Sequence, residues 1–282
     1  MARHSMLELI LTTILLFCIT TLVRFVFGPS WVSRAVTGIH WKLLIVAVAV
    51  APLLAGLIIS RPGKLSGGHM NPAISSAMWR FGVFPGAGVV PYITAQLLGS
   101  VLGVLAARAI WGVTIERPPT LYAVIQPAPA WSTVPLFVTE AFGMGVIVFI
   151  IGYCLSVHRL TPLVPWVVGG LIALAVVVLG TSTGASLNPA RQFGPAVISE
   201  HTDKLWVYLL APMVGAEIAV RLLQAFQKPR HVLTHRLCGT EADGSPLRSG
   251  EAARIVKPAA QVGKKRIARS SVQRSRNLSV AE

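Results

Sequence analysis

The sequence predicts an all-α membrane protein of six transmembrane helices plus two re-entrant half-helices, arranged as an inverted repeat. Three observations carry this. The chain of 282 residues is 54% hydrophobic and only 12% charged, with a mean hydropathy of +0.67, whereas a soluble domain carries roughly 25% charged residues. Six apolar stretches, at about 6–27, 40–60, 85–111, 133–156, 162–180 and 205–227, each reach the ~20 residues that a bilayer crossing needs. The triplet Asn-Pro-Ala occurs twice, in "GGHMNPA" at 67–73 and in "GASLNPA" at 184–190, each time after small residues.

The first apolar run, from "MARHSMLELIL" to Phe27, is too long for a signal-peptide core and lacks a small-residue cleavage site, so it reads as a retained span. Turn-rich segments such as "GPSWVSRAVTG", "SRPGKLSGG", "ERPPTLYAVIQPAPAW" and "SVHRLTP" separate the spans. Gly99 with Gly103, and the pair Gly169-Gly170, allow helices to approach closely in lipid.

Two stretches, 71–80 and 188–198, are too short to cross. Ten residues make ~15 Å of helix, half of a ~30 Å hydrocarbon core. Entering from opposite sides, the two would add up to one crossing. The halves repeat: Glu8 lies early in the first span and Glu140 early in the fourth. Each half then runs span, span, half-helix, span. Three crossings per half turn the second copy upside down, which places function at the midplane where the copies meet. The expected channel domain is 1–227, with halves at about 5–115 and 130–227, followed by a basic, disordered tail at 228–282.

The formal charge of +15 does not indicate a nucleic-acid partner. Residues 228–282 hold twelve Lys and Arg against four Asp and Glu, with no Phe, Tyr or Trp among them, so the tail offers no base-stacking platform. The remaining cations sit mostly at span ends, where they contact lipid head groups or set topology. Arg3, Arg61, Lys64, Arg80, Arg159 and the tail fall on one side, and Arg34 and Lys42 on the other. This distribution favours cytoplasmic termini. Cys18, Cys154 and Cys238 lack metal-site spacing. With no nucleophile–base pair and no metal cluster, the reading is neither an enzyme nor a cofactor or metal protein. The tail's "RSS" at 269–271 and "RNLS" at 276–279 resemble basophilic kinase sites, a frequent coincidence in basic segments.

Asn is a good N-cap, and Pro suits the first helical position because its missing N–H is not needed there. Asn71-Pro72-Ala73 and Asn188-Pro189-Ala190 therefore each start a half-helix at membrane depth. Irregular backbone is tolerated there only where protein buries it or water lines it. Each N-terminus carries roughly half a positive charge. The centre thus repels cations while the Asn amides offer donors to an uncharged molecule. Arg191 follows the second triplet, and a charge at such depth marks function.

These residues resemble the signatures of aquaporins, the major intrinsic protein family. "SGGHMNPAIS" and "TGASLNPARQFGPA" match its paired motifs, and the likeness covers about residues 5–227. The resemblance implies a passive channel that forms homotetramers in the plasma membrane. It assigns Glu8, Glu140, Gln96 and His69 to support of the re-entrant loops. Aligned without gaps, the four selectivity positions fall on Ala51, Val176, Ala185 and Arg191. Water-selective members have a bulky aromatic and a His at the first two. Small aliphatics there resemble the metalloid-permeable nodulin-like intrinsic proteins of plants, although Gln192 and Ala196 follow the water-channel pattern instead.

The expected permeants are water, glycerol, urea and undissociated boric or arsenous acid, with ions and protons excluded. A strict water channel, an ion-coupled transporter using Glu8 and Glu140, and a non-conducting scaffold are the alternatives.

Overall fold

The computed structural model describes residues 1–226, 231–241, 245 and 247; the two kinase-like motifs lie outside them. In chain order the helices are α1 (Ala2–Phe27), α2 (Trp31–Ala35), α3 (Ile39–Ile59), α4 (Arg61–Ser66), α5 (Pro72–Arg80), α6 (Val89–Trp111), α7 (Thr133–Ser156), α8 (Val164–Leu179), α9 (Pro189–Ile198) and α10 (Leu205–Phe226). Among the described residues, six helices are long and apolar enough to cross a membrane: α1, α3, α6, α7, α8 and α10. They end within two residues of the expected spans, apart from four residues at the starts of α1 and α6. Six crossings bring both ends of this bundle to one face, called proximal below; the opposite face is distal.

Two short helices fill segments that read as turns. The Ser30 hydroxyl accepts from the Ser33 amide and starts α2; the Ser60 hydroxyl accepts from the Gly63 amide at 3.2 Å and starts α4. Each is an N-cap bond, which satisfies one of the amides orphaned at a helix start.

Matching glycines hold matching helices. Helix α1 packs along α6 as α7 packs along α10. A Cβ on Gly99 would stand 2.5 Å from the Leu9 carbonyl oxygen, and one on Gly215 only 1.8 Å from that of Ala141. Gly169 of α8 meets the Ala51 backbone of α3 in the same way. Lipid tails supply no hydrophobic drive between helices, so this close backbone packing is what associates them. We expect Gly215→Ala to cost about 1–3 kcal/mol, the usual range for overpacking, and Gly215→Val to abolish the monodisperse detergent-solubilised protein. Size-exclusion profiles with thermal melts check both.

The tail boundary lies further on than expected. The chain divides into the units Met1–Pro246 and Leu247–Glu282. Residues 231–241 belong to the first and pack on the bundle. The Leu233 amide donates to the Leu155 carbonyl at the end of α7, and the Leu237 amide to the Gly67 carbonyl. Val232, Leu237 and Cys238 are buried among core residues. These apolar side chains, spaced through a stretch whose overall character is basic, are what a composition average conceals.

Candidate functional site

The half-helices α5 and α9 start at the centre and point their N-termini at each other. The Asn71 side-chain oxygen accepts from the Ala73 amide and that of Asn188 from the Ala190 amide, both at 2.9 Å. Pro72 and Pro189 occupy the first turns. Each Asn then donates across the repeat: Asn71 Nδ2 to the Leu187 carbonyl at 3.1 Å, and Asn188 Nδ2 to the Met70 carbonyl at 2.9 Å. This reciprocal pair locks the two tips together.

The loops entering the tips are strained. Met70, Ala185 and Leu187 have φ of 47°, 53° and 50°, a left-handed backbone that costs non-Gly residues roughly 1–2 kcal/mol each. Two fully buried carboxylates hold it in place. Glu8 accepts from the Ser66 hydroxyl at 2.7 Å, the His69 and Met70 amides at 3.0 and 2.7 Å, and Gln96 Nε2 at 2.9 Å. Glu140 accepts from the Ser186 and Leu187 amides at 3.3 and 2.8 Å. Gln96 also reaches the Ser75 hydroxyl at 3.0 Å. Buried charge is tolerated when hydrogen-bonded, and these carboxylates are occupied by the loops they shape.

Two tyrosines repeat the same logic and are not apparent from the motifs. Tyr92 donates to the Ser66 carbonyl and Tyr208 to the Thr183 carbonyl, both at 2.7 Å, and both are fully buried. They stand at matching places in the two halves, so aligning the halves is the signal that would have found them.

A lumen of about 280 Å³ runs past both Asn residues. His69, Asn71, Ser186, Asn188 and Arg191 contribute its polar lining. The rest of the lining is largely apolar and includes Ile19, Val50, Ile147 and Ile172. Towards the distal face lie Arg191, Ala185, Val176 and Gly180, with the loop residues Ala123 to Gln126. Arg191 is the third residue of α9, where the helix dipole opposes a cation. Its Nη1 donates to the Ala123 carbonyl at 2.7 Å. Gln192 positions that loop: its oxygen accepts from the Ile125 amide at 3.0 Å and its Nε2 donates to the Ile125 carbonyl at 2.8 Å. On sequence, Gln192 served only to separate solute classes.

Ala51 departs from its expected place. From α3 the lumen is lined by Ile39, Leu43, Val46, Val50, Leu54 and Ile58. Ala51 sits one residue, about 100°, round the helix from Val50, with its backbone against Gly169. Leu43 meets Gly180 and Ala51 meets Gly169; interpolating between those approaches sets Val46 level with Val176. A gapless count from Asn71 does not register this rotation. His69 is buried, with Nδ1 3.1 Å from the Ser75 hydroxyl and Nε2 2.9 Å from the His235 carbonyl.

An inverted repeat of six crossings, with half-helices meeting tip to tip beside a lumen, defines a membrane channel. The comparisons with known proteins agree. Residues 1–222 match the family model described as major intrinsic protein. A probable aquaporin NIP7-1 of Arabidopsis thaliana is 35% identical over 220 residues, 77% of this chain and 74% of the relative. A glycerol uptake facilitator protein-like 5 of Lactiplantibacillus plantarum is 32% identical over 203 residues, 66% of this chain and 80% of the relative. The X-ray structure of the aquaglyceroporin from Plasmodium falciparum shares the fold with a TM-score of 0.64 at 22% identity, covering 80% of this chain and 97% of that one. The chain belongs to the major intrinsic protein family. It is an integral membrane channel for water and small solutes, and not an enzyme.

Proposed function

We propose that the channel passes water together with glycerol, urea and undissociated boric or arsenous acid, and that it excludes ions and protons. The amphipathic lumen carries this reading. A polyol or amide carries both hydrogen-bonding groups and carbon surface, which a lumen lined by polar groups and aliphatic side chains together can match. Selectivity follows from how well wall groups replace a solute's hydration. In this reading Arg191, Val176 and Ala185 form the constriction with Val46. Asn188 presents its remaining amide hydrogen to the permeant, Asn71 offers one that otherwise makes only a long contact of 4.0 Å to Met144 Sδ, and Glu8, Glu140, Gln96 and His69 hold the loops. The hydrogen bonds that occupy Glu8 and Glu140 speak against their use in ion coupling.

Stopped-flow light scattering of proteoliposomes, challenged in turn with an impermeant osmolyte, glycerol and urea, tests the reading. Water flux with glycerol and urea flux, all insensitive to an ion gradient, is the expected result. Water flux alone makes it a strict water channel. Gradient dependence makes it a transporter, and absence of all flux, in the wild type and with the 231–241 segment displaced, a scaffold.

We place both termini in the cytoplasm of a plasma-membrane homotetramer. The positive-inside rule supports the orientation once the tail is counted. An apolar groove between α7 and α10, floored by Ala141, Gly145 and Gly215, supports side-by-side packing.

A further inference from the structure

Residues 231–241 pack against the proximal end of the lumen, where Leu237 enters its wall and two hydrogen bonds reach the re-entrant loop. Leu237 is 1% exposed and forms part of the lumen wall with Ile58, Gly68 and His69. Its amide donates to the Gly67 carbonyl at 3.0 Å, in the extended run that leads to Asn71. The ring of His69 gives its Nε2 hydrogen to the His235 carbonyl at 2.9 Å. A donor and an acceptor beside the conduction path are thus satisfied by the chain itself. Aromatic edges seal the contact: the His235 ring lies 5.7 Å from that of His69 and 5.3 Å from that of Phe84. Beyond it, Gly239 presses so near the Thr161 carbonyl that a Cβ would stand 2.0 Å from the oxygen.

We infer that residues 231–241 are an autoinhibitory plug: docked, the segment closes the proximal mouth of the channel, and its release opens it. Leu237 is the stopper. The Gly67 and His69 bonds are the latch.

The latch responds to acid. His235 Nδ1 is buried without a hydrogen-bond partner, so a proton there would be an unpaired buried charge. The charged and titratable groups that act on the ring are His69 of the re-entrant loop, Arg236 of its own segment and His4 of α1. Glu8, the acid behind His69, is occupied by backbone amides. Burial first, then His69, Arg236 and His4, push the His235 pKa from its ordinary 6.5 down to about 3. Docking therefore favours the neutral ring. Its contribution is complete above about pH 6.5 and is lost progressively as pH falls towards 3.

The test uses the full chain in proteoliposomes and measures water alone, so it stands apart from the solute range proposed above. Leu237→Asp puts a charge on the stopper, and Gly239→Val collides with Thr161; both lie outside the spans. Cys238, 4% exposed, reports release through maleimide labelling located by peptide mass. Both variants should raise Cys238 labelling and water flux at neutral pH, on the order of tenfold if the open fraction rises from about a tenth to nearly all. The wild type should show the same rise in flux on acidification, and His235→Phe should stay closed. Labelling that rises with flux unchanged would show a docked segment that gates nothing. Labelling that rises in neither variant, or a wild-type flux already at the variants' level at neutral pH, overturns the plug. An acid response that survives His235→Phe removes His235 as the trigger.

Discussion

Replacing Arg191 with valine should raise cation leak on the order of a hundredfold while neutral-solute flux stays measurable. The guanidinium lies beside the lumen near its distal end and is held there by the Ala123 carbonyl. A monovalent cation passing about 5 Å from it meets roughly 3 kcal/mol of repulsion at an effective dielectric constant of about 20, and each 1.4 kcal/mol is about tenfold. The two half-helix N-termini remain in the variant and add their own positive field, so exclusion should weaken without vanishing. Water and glycerol meet a site that has lost a donor but gained room. Planar-bilayer conductance and a pH-sensitive dye trapped in proteoliposomes measure the leak, with stopped-flow scattering as the control for neutral flux. The variants that displace the 231–241 segment supply an open background. If Arg191→Val in that background changes neither ion leak nor solute preference, the constriction lies elsewhere.

Narrowing the aperture should separate solutes by size. Val46→Phe with Val176→His places an aromatic ring and an imidazole on the two facing walls at the same level. Glycerol and urea flux should fall at least about tenfold relative to water, the scale of discrimination that one methylene-sized misfit gives a pocket. Ala51→Phe is the informative contrast. That position faces the α3–α8 contact, where Gly169 already touches the Ala51 backbone. It should therefore lower thermal stability more than it changes selectivity. Equal loss of all fluxes in the double variant, with its melting temperature unchanged, would refute the placement of Val46 opposite Val176. A wild type passing water alone would refute the wide-aperture reading itself.

Helix count, span limits, the two half-helices and the inverted repeat were legible in the sequence for simple physical reasons. A bilayer demands about twenty apolar residues per crossing, and lipid leaves backbone groups few choices other than helix. Asn-Pro-Ala carries its own capping chemistry, so the sequence itself marks Asn71 and Asn188 as the tips. Glu8 and Glu140 stood out because an acid inside an apolar run needs partners.

What the tertiary structure alone decided depends on rotation and long-range contact. Which face of α3 meets the lumen follows from how Gly169 and Gly180 seat it against α8, and a one-residue turn exchanges Ala51 for Val50. Tyr92 and Tyr208 read as ordinary core aromatics until their hydroxyls are seen on the Ser66 and Thr183 carbonyls. The segment 231–241 sits in a stretch whose composition reads as tail, because only four of its side chains are apolar enough to bury: Val232, Leu233, Leu237 and Cys238. Its order comes from backbone bonds to Gly67 and Leu155, residues 170 and 78 positions away along the chain. Local sequence determines what a segment prefers by itself. The groove that the other helices leave open determines whether it docks.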